Sequence, residues 1–315
     1  QGAEIVFLGK PPATTILMRA FKEVRPHVIL TVPLLIEKIY KAAVLPTLRD
    51  NPKIAKLYKN PLTKWIVLKT VKAKLISTMG GCMKFFGIGG APMDQEVWDF
   101  LYRCHFPYAL GYGLTETSPL VAGCGPKHRM HKRGYIGKPV KHDDVILLDK
   151  NEEGVGEIAV KGPNVMTGYY NNEELNKEVF TPDGYFKTGD LGYIDKHGYL
   201  SIRGRVKTMI LGPAGENIYP ESIESIINNM EFVQESLVVP GDGGLVALIK
   251  VDLEAMQEKL KISAEEVKNE AEKYLVKLKK TVNEQLSSFS KISDTELQEK
   301  DFERTPTQKI KRFLY

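Results

Sequence analysis

The run 84-KFFGIGGAPMDQEVWDFLYRCHFPYALGYGLTET-117 decides how this chain folds. Lys84 to Ile88 reads as a short strand that ends in Gly89-Gly90-Ala91-Pro92. Val97, Phe100 and Leu101 then keep helical spacing, and Phe106 to Leu110 reads as a second strand, closed by Gly111-Tyr112-Gly113-Leu114-Thr115-Glu116-Thr117. Strand, glycine turn, helix, strand and glycine turn is the rhythm of an α/β layer.

Upstream, Thr15 to Tyr40 continues the rhythm as helix, strand (Val28 to Val32) and a helix opened by Pro33, and Glu4 to Leu8 reads as a strand. Between them and the central run, Arg49 to Lys74 holds eight basic residues against Asp50 alone, around Trp65, Ile66 and Leu68. Two readings stay open there: a solvated helical surface, or a basic helix lying on an anionic membrane, although the lysines do not gather on one face. Downstream, Val145–Leu148, Gly156–Val160, Tyr185–Thr188, Gly192–Ile194 and Tyr199–Ile202 read as short strands of a small β region. Beyond Lys207 the pattern is α+β: a Pro220-opened helix with Ile223, Ile226, Ile227 and Met230 on one side, two strands near Ser236–Val239 and Leu245–Val251, and a long helix capped by Ser263 and Glu266.

The 315 residues suggest about two domains, and 43% hydrophobic with 26% charged residues excludes disordered and collagen-like chains. The boundary is expected near Arg205, dividing residues 1–205 from 206–315. Charge agrees, since residues 207–315 carry 15 basic and 19 acidic side chains while the preceding part carries 29 and 20. A net charge of +5 is too slight to announce a nucleic-acid partner. Cys82, Cys104 and Cys124 have neither metal-ligand spacing nor a disulfide pattern and read as reduced thiols. No apolar run of about 18 residues and no leader is seen, so a cytoplasmic location is expected.

Several turns carry groups suited to chemistry. Gly87-Ile88-Gly89-Gly90 matches neither common nucleotide-binding glycine pattern and by itself reads as a turn. In the 112–117 turn, glycines beside Tyr112 would let a flat ring approach the backbone, while the Thr115 hydroxyl and Glu116 carboxylate suit a phosphate and a hard cation; a surface turn is the competing reading. Thr188-Gly189-Asp190 ends a strand, where a carboxylate can accept both hydroxyls of a ribose or serve as a turn or helix cap. Arg203-Gly204-Arg205-Val206-Lys207 offers an anion-binding arginine and a hinge, or structural ion pairs. Thr305 to Arg312 is a basic loop containing Pro306.

The order of these motifs, GGAP, GYGLTET, GEIAVKGPNVMTGYY, GYFKTGD, GYLSIRGRVKTMILGPAGENIYPESIE and TPTQKIKR, resembles the adenylate-forming superfamily of acyl-CoA synthetases, adenylation domains and luciferases from Gly89 to Lys309. GYGLTETSP and TPTQKIKR look most like the long-chain fatty acid:CoA ligases. The resemblance implies an α/β chain comprising part of a large adenylation domain followed by a small mobile α+β domain. It implies a reaction in which a fatty acid and ATP form an acyl-adenylate that coenzyme A then attacks. Gly90, Ala91, Pro92, Tyr112 and Gly113 would line the adenine site. Thr115 would touch phosphate, Glu116 would hold magnesium, and Asp190 and Arg205 would bind the ribose beside Ile202. Lys309 would neutralise charge as the adenylate forms, Lys207 would be the hinge, and Gly215, Glu216 and Asn217 would face coenzyme A. An acyl-AMP ligase, an enzyme for another carboxylic acid, and a degenerate membrane-associated binding module are the alternatives.

Residues 1–88 lack the superfamily's Ser/Thr/Gly-rich phosphate loop and its upstream active-site aromatic or histidine, and Leu110 stands where relatives often have a polar residue. With no initiator Met, the chain is expected to be the C-terminal part of a longer ligase and inactive alone.

Overall fold

In the computed structural model, which describes residues 2–7, 14–212, 215–305 and 310–315, the central run forms as expected. The chain enters through α1 (Thr14–Val24), β1 (Val28–Thr31) and α2 (Pro33–Ile39), then a π-helical turn at Tyr40–Val44 and the helices α3 (Leu45–Arg49), α4 (Pro52–Lys59) and α5 (Pro61–Thr78). β2 (Phe85–Gly89), α6 (Gln95–Arg103), β3 (Tyr108–Gly113), β4 (Leu120–Gly123) and β5 (Lys138–Pro139) follow. These strands make one sheet in the order β1-β2-β3-β4-β5; β1, β2 and β3 are parallel and the last two pairings antiparallel. Alternation puts Phe86 and Ile88 of β2 into the core, where α6 adds Val97, Phe100 and Leu101 and α5 adds Val67, Leu68, Val71 and Leu75.

A second sheet holds β6 (Asp144–Leu148), β7 (Gly156–Lys161), β8 (Phe186–Ile194) and β9 (Leu200–Arg205) in that order, with α7 (Glu173–Val179) between β7 and β8. The hairpin β10 (Ile210–Leu211) and β11 (Asn217–Ile218) leads to α8 (Pro220–Ile227), β12 (Val233–Gly241), β13 (Gly244–Val251), α9 (Leu253–Leu260), α10 (Ala264–Asn283) and β14 (Ile292–Leu297). β12 and β13 pair antiparallel, while β13 and β14 pair parallel. Ile223, Ile227, Ala247, Ile249, Leu275 and Val282 close a separate core. Ser263 and Glu266 cap α10 reciprocally, each side chain taking the other residue's backbone N–H.

The chain divides into two compact units: residues 1–148, 158–188 and 193–201 in the first, and residues 149–157, 189–192 and 202–315 in the second.

The structure departs from the sequence reading in several places. Residues 2–7 hold no regular structure and Ile5 and Phe7 are exposed, so the strand expected at Glu4–Leu8 is not made over the described residues; an apolar run needs a partner strand to become one. Tyr185–Thr188 and Gly192–Ile194 are one strand, β8, because Gly189 takes φ +72° without ending it. The basic stretch is two helices, broken where Asn60 leaves α4 and caps α5 with its side chain.

Candidate functional site

In the first unit the two glycine turns leave the sheet side by side. Gly89 pairs with Gly111 at the ends of parallel β2 and β3, the end of an open α/β sheet where ligands characteristically bind. Backbone crowds both turns: a Cβ on Gly89 would lie a tight 3.0 Å from the Gly111 carbonyl oxygen, and one on Gly113 is excluded at only 1.6 Å from that of Pro119. Gly90 turns with φ +87°. Ala91, Pro92, Gly113 and Thr115 are exposed beside half-buried Tyr112.

Thr115–Thr117 is a single 3₁₀ turn, locked by fully buried Thr117. Its Oγ1 accepts the Leu114 N–H at 3.0 Å and donates to the Pro119 carbonyl at 2.7 Å. That lock presents Thr115 to solvent and holds Glu116 half-buried. Glu116 is anchored twice, its carbonyl accepting the Met166 N–H at 2.8 Å and its Oε1 accepting the Tyr169 hydroxyl at 2.9 Å. Asn176 clamps Tyr169 in turn, taking its N–H at 2.7 Å and donating to its carbonyl at 2.9 Å. Desolvation and then the Glu116 carboxylate raise the Tyr169 phenol's pKa, so the proton stays on the donor.

The sequence reading quoted the GPNVMTGYY motif but did not single out Tyr169, 53 residues beyond Glu116. Nor did it pick out Asn176 or Glu157, whose Oε1 accepts the Gly189 N–H at 3.1 Å in the second unit. The signal available in the sequence was the tyrosine pair after Gly168, which does not say which ring turns to the site; Tyr170 is 93% exposed.

In the second unit Asp190 and Arg205 come together. The buried Asp190 carboxylate meets Arg205 Nε at 2.9 Å, and the arginine side chain is half exposed. Ile202 is half-buried on the same strand as Arg205. Lys207 is exposed in the 3₁₀ turn Val206–Thr208, which is tied down when Thr208 Oγ1 donates to Glu221 Oε1 at 2.7 Å. Asn217 pairs with Leu211 in the β10–β11 hairpin, Gly215 turns with φ +88°, and the Gly212 N–H donates to the Glu216 carbonyl at 2.8 Å.

Lys309 lies outside the described residues. Its flanks are anchored: Arg304 bridges Ile310, the Lys311 N–H donates to the Glu303 carbonyl at 2.8 Å, and Arg312 pairs with buried Glu224. Glu224 Oε1 also accepts the Val238 N–H at 2.7 Å; burial nonetheless raises its carboxyl to about 7 against the pull of Arg312 and that amide.

Among the described residues no three His, Cys, Asp or Glu side chains gather as a metal cage. Magnesium does not need one, because it commonly takes one or two carboxylates together with substrate phosphates and water. Glu116, partly accessible and held by one neutral hydroxyl, fits that donor set.

Parallel β1, β2 and β3, with paired glycine turns at the ends of β2 and β3, make this an open α/β sheet of the class that binds ligands at its strand ends. Residues 1–170 match the family described as AMP-binding enzyme, and the chain belongs to it. Among curated relatives it is 31% identical over 272 residues to long chain acyl-CoA synthetase 7, peroxisomal, of Arabidopsis thaliana, covering 77% of this chain and 38% of that protein. It is 33% identical over 195 residues to the 2-succinylbenzoate–CoA ligase of Listeria innocua, covering 60% and 40%. ATP-bound MatB from Rhodopseudomonas palustris superposes with a TM-score of 0.67 at 26% identity, over 98% of this chain and 53% of that one. o-Succinylbenzoate CoA synthetase from Bacillus subtilis, in complex with its acyl-adenylate intermediate, has the same fold, with a TM-score of 0.69 at 22% identity over 96% and 53%. The chain thus spans about two fifths of these curated relatives and half of these solved structures.

Proposed function

We propose that the protein is the C-terminal part of an AMP-forming acid:CoA ligase that activates a long-chain fatty acid through an acyl-adenylate. The observation that carries the chain-length reading is span: similarity to the Arabidopsis long-chain enzyme extends over 77% of the chain, and similarity to the Listeria succinylbenzoate ligase over 60%. A second reading, an aryl or other carboxylate substrate, is supported by higher identity over a shorter stretch, 40% over 144 residues with the Bacillus velezensis 2-succinylbenzoate–CoA ligase.

In this reading the turns at 89–92 and 111–113 receive adenine, since glycine lets a flat ring lie against backbone beside Tyr112. Asp190 accepts the ribose hydroxyls, with Arg205 held next to it. Thr115 donates to phosphate. Magnesium on Glu116 would offset the charge that develops on the departing pyrophosphate. Tyr169 orients the Glu116 carboxylate. Lys309 stabilises the negative charge shared by the attacking carboxylate and the α-phosphate. A rotation about Lys207 then exchanges Lys309 for the Gly215-Glu216-Asn217 turn, so that one pocket serves adenylation and thioester formation in sequence. Residues beyond this chain supply the phosphate loop, and the exposed Val28 and Leu30 of β1 offer apolar surface for them to cover.

The test is thioester formation by the full-length protein with palmitate, octanoate and 2-succinylbenzoate, given ATP, magnesium and CoA, beside the present chain alone. Palmitoyl-CoA from the full-length protein and nothing from the chain is expected. Preference for succinylbenzoate would replace the substrate assignment, adenylate without thioester would make it an acyl-AMP ligase, and no adenylate from any acid would refute the enzyme reading.

A further inference from the structure

Helix α5 has two apolar faces, and only one is covered. Val67, Leu68, Val71 and Leu75 are buried in the core of the first unit. Leu62, Trp65 and Ile66 lie on the opposite side with Lys69, Thr70 and Ala73, at the i, i+3, i+4, i+7 spacing of a single helical face. They are 81%, 60% and 48% exposed, and Leu57 of the preceding α4 is exposed as well. An indole left in water beside two branched aliphatics forgoes burial that its own helix achieves on its other side.

The surroundings are of one sign. From Asn51 to Met93 the chain has eight lysines and no Asp or Glu. Among the described residues Lys53, Lys56, Lys59, Lys69 and Lys74 form no ion pair, while Lys64 lies over the Tyr58 ring at 4.7 Å and Lys72 donates to the His105 carbonyl. Lys69 stands within the exposed apolar face, and Lys74 lies to one side of it. The lysines did not gather on one helical face in the sequence; what the fold gathers is the apolar set between them.

An apolar strip that holds a tryptophan, with unpaired Lys69 within it and Lys74 beside it, complements an anionic bilayer. Leucine and isoleucine enter the acyl boundary, the indole rests at headgroup depth, and lysine stems extend to carry their charges to lipid phosphates. No helix among the described residues is long and apolar enough to cross a membrane, so the contact lies along the surface. We propose that the exposed face of α4 and α5 is a peripheral contact site for an anionic membrane, with Trp65 as its anchor. The proposal rests on this surface and not on the acyl-activating reading, so either can fail without the other.

Co-sedimentation of the full-length protein with vesicles tests it, comparing pure phosphatidylcholine with an equal mixture of phosphatidylcholine and phosphatidylglycerol. Binding to the mixed vesicles alone, weakened by salt, is expected. Leu62→Ser with Trp65→Ser should weaken it about tenfold or more, as expected for withdrawing two apolar anchors. Lys69→Gln and Lys74→Gln, which preserve the apolar face and the fold, should each weaken it about fivefold. The proposal is overturned if the wild type ignores anionic vesicles, if the variants bind as well as the wild type, or if the serine pair lowers the melting temperature or dissociates an oligomer without vesicles, since the face is then covered by protein.

Discussion

Asp190→Asn probes the nucleotide reading with the smallest change of shape. The carboxylate is buried and meets Arg205 Nε at 2.9 Å, whereas about half of the arginine side chain faces water. Asparagine keeps a carbonyl acceptor in place and removes one charge. Because Arg205 can turn to solvent, the lost pair should cost on the order of 1 kcal/mol. Melting should then shift by a few degrees at most. Nucleotide binding should suffer more, since a hydroxyl donating to a carboxylate forms a charge-assisted hydrogen bond worth about 1.5–3 kcal/mol. Loss of one such bond corresponds to about 10- to 150-fold in Kd. Calorimetric titration of AMP into the full-length protein and its Asp190→Asn variant measures this, with thermal melts of both as the control for folding. An unchanged Kd in a variant that melts normally would refute the ribose role and leave the Asp190–Arg205 pair as structure.

Tyr169→Phe removes the 2.9 Å hydroxyl contact to the Glu116 carboxylate and should raise the magnesium concentration needed for half-maximal adenylation about tenfold; an unaltered magnesium dependence would show that Tyr169 does not position Glu116. Gly113→Ala places a Cβ 1.6 Å from the Pro119 carbonyl oxygen, a backbone atom that cannot swing away, and should cost about 3 kcal/mol, read as a melting point lower by several degrees. Wild-type melting would mean the 113–119 turn relaxes freely. Glu224 is protonated more readily in the fold than in the unfolded chain, so stability should fall as pH rises from about 4.5 to about 7; Glu224→Gln should flatten that slope, and a slope that persists assigns it elsewhere. Lys309→Ala in the full-length enzyme should impair adenylation far more than thioester formation from supplied adenylate, and equal losses would remove its assigned role.

Much of the fold was legible because its signals are local. The alternating apolar pattern of β2, the helical spacing of Val97, Phe100 and Leu101 and the Ser263–Glu266 cap each depend on neighbours within four residues. The glycine turns were equally readable, and the structure adds a reason for one of them: a Cβ on Gly89 would press on the Gly111 carbonyl oxygen of the paired strand at 3.0 Å. Where an element depends on a distant partner, the sequence was insufficient. Residues 2–7 are apolar enough for a strand and form none, and β14 went unnoticed because Ile292–Leu297 alternates only weakly and owes its place to parallel pairing with β13.

The candidate site divides in the same way. Thr115, Glu116, Asp190, Arg205 and Lys309 stand out as residue types in ordered motifs, and that order alone brought the superfamily into view. Tyr169 on Glu116, the Asp190–Arg205 pair and the bare face of α5 are products of tertiary structure. In α5 the two apolar sets alternate so that neither stands out along the chain, and only packing reveals which is buried. The physical reason is common to all three. Periodicity, capping and turn chemistry are set by bonds over a few residues, whereas contacts across tens of residues exist only after the core has closed and placed them.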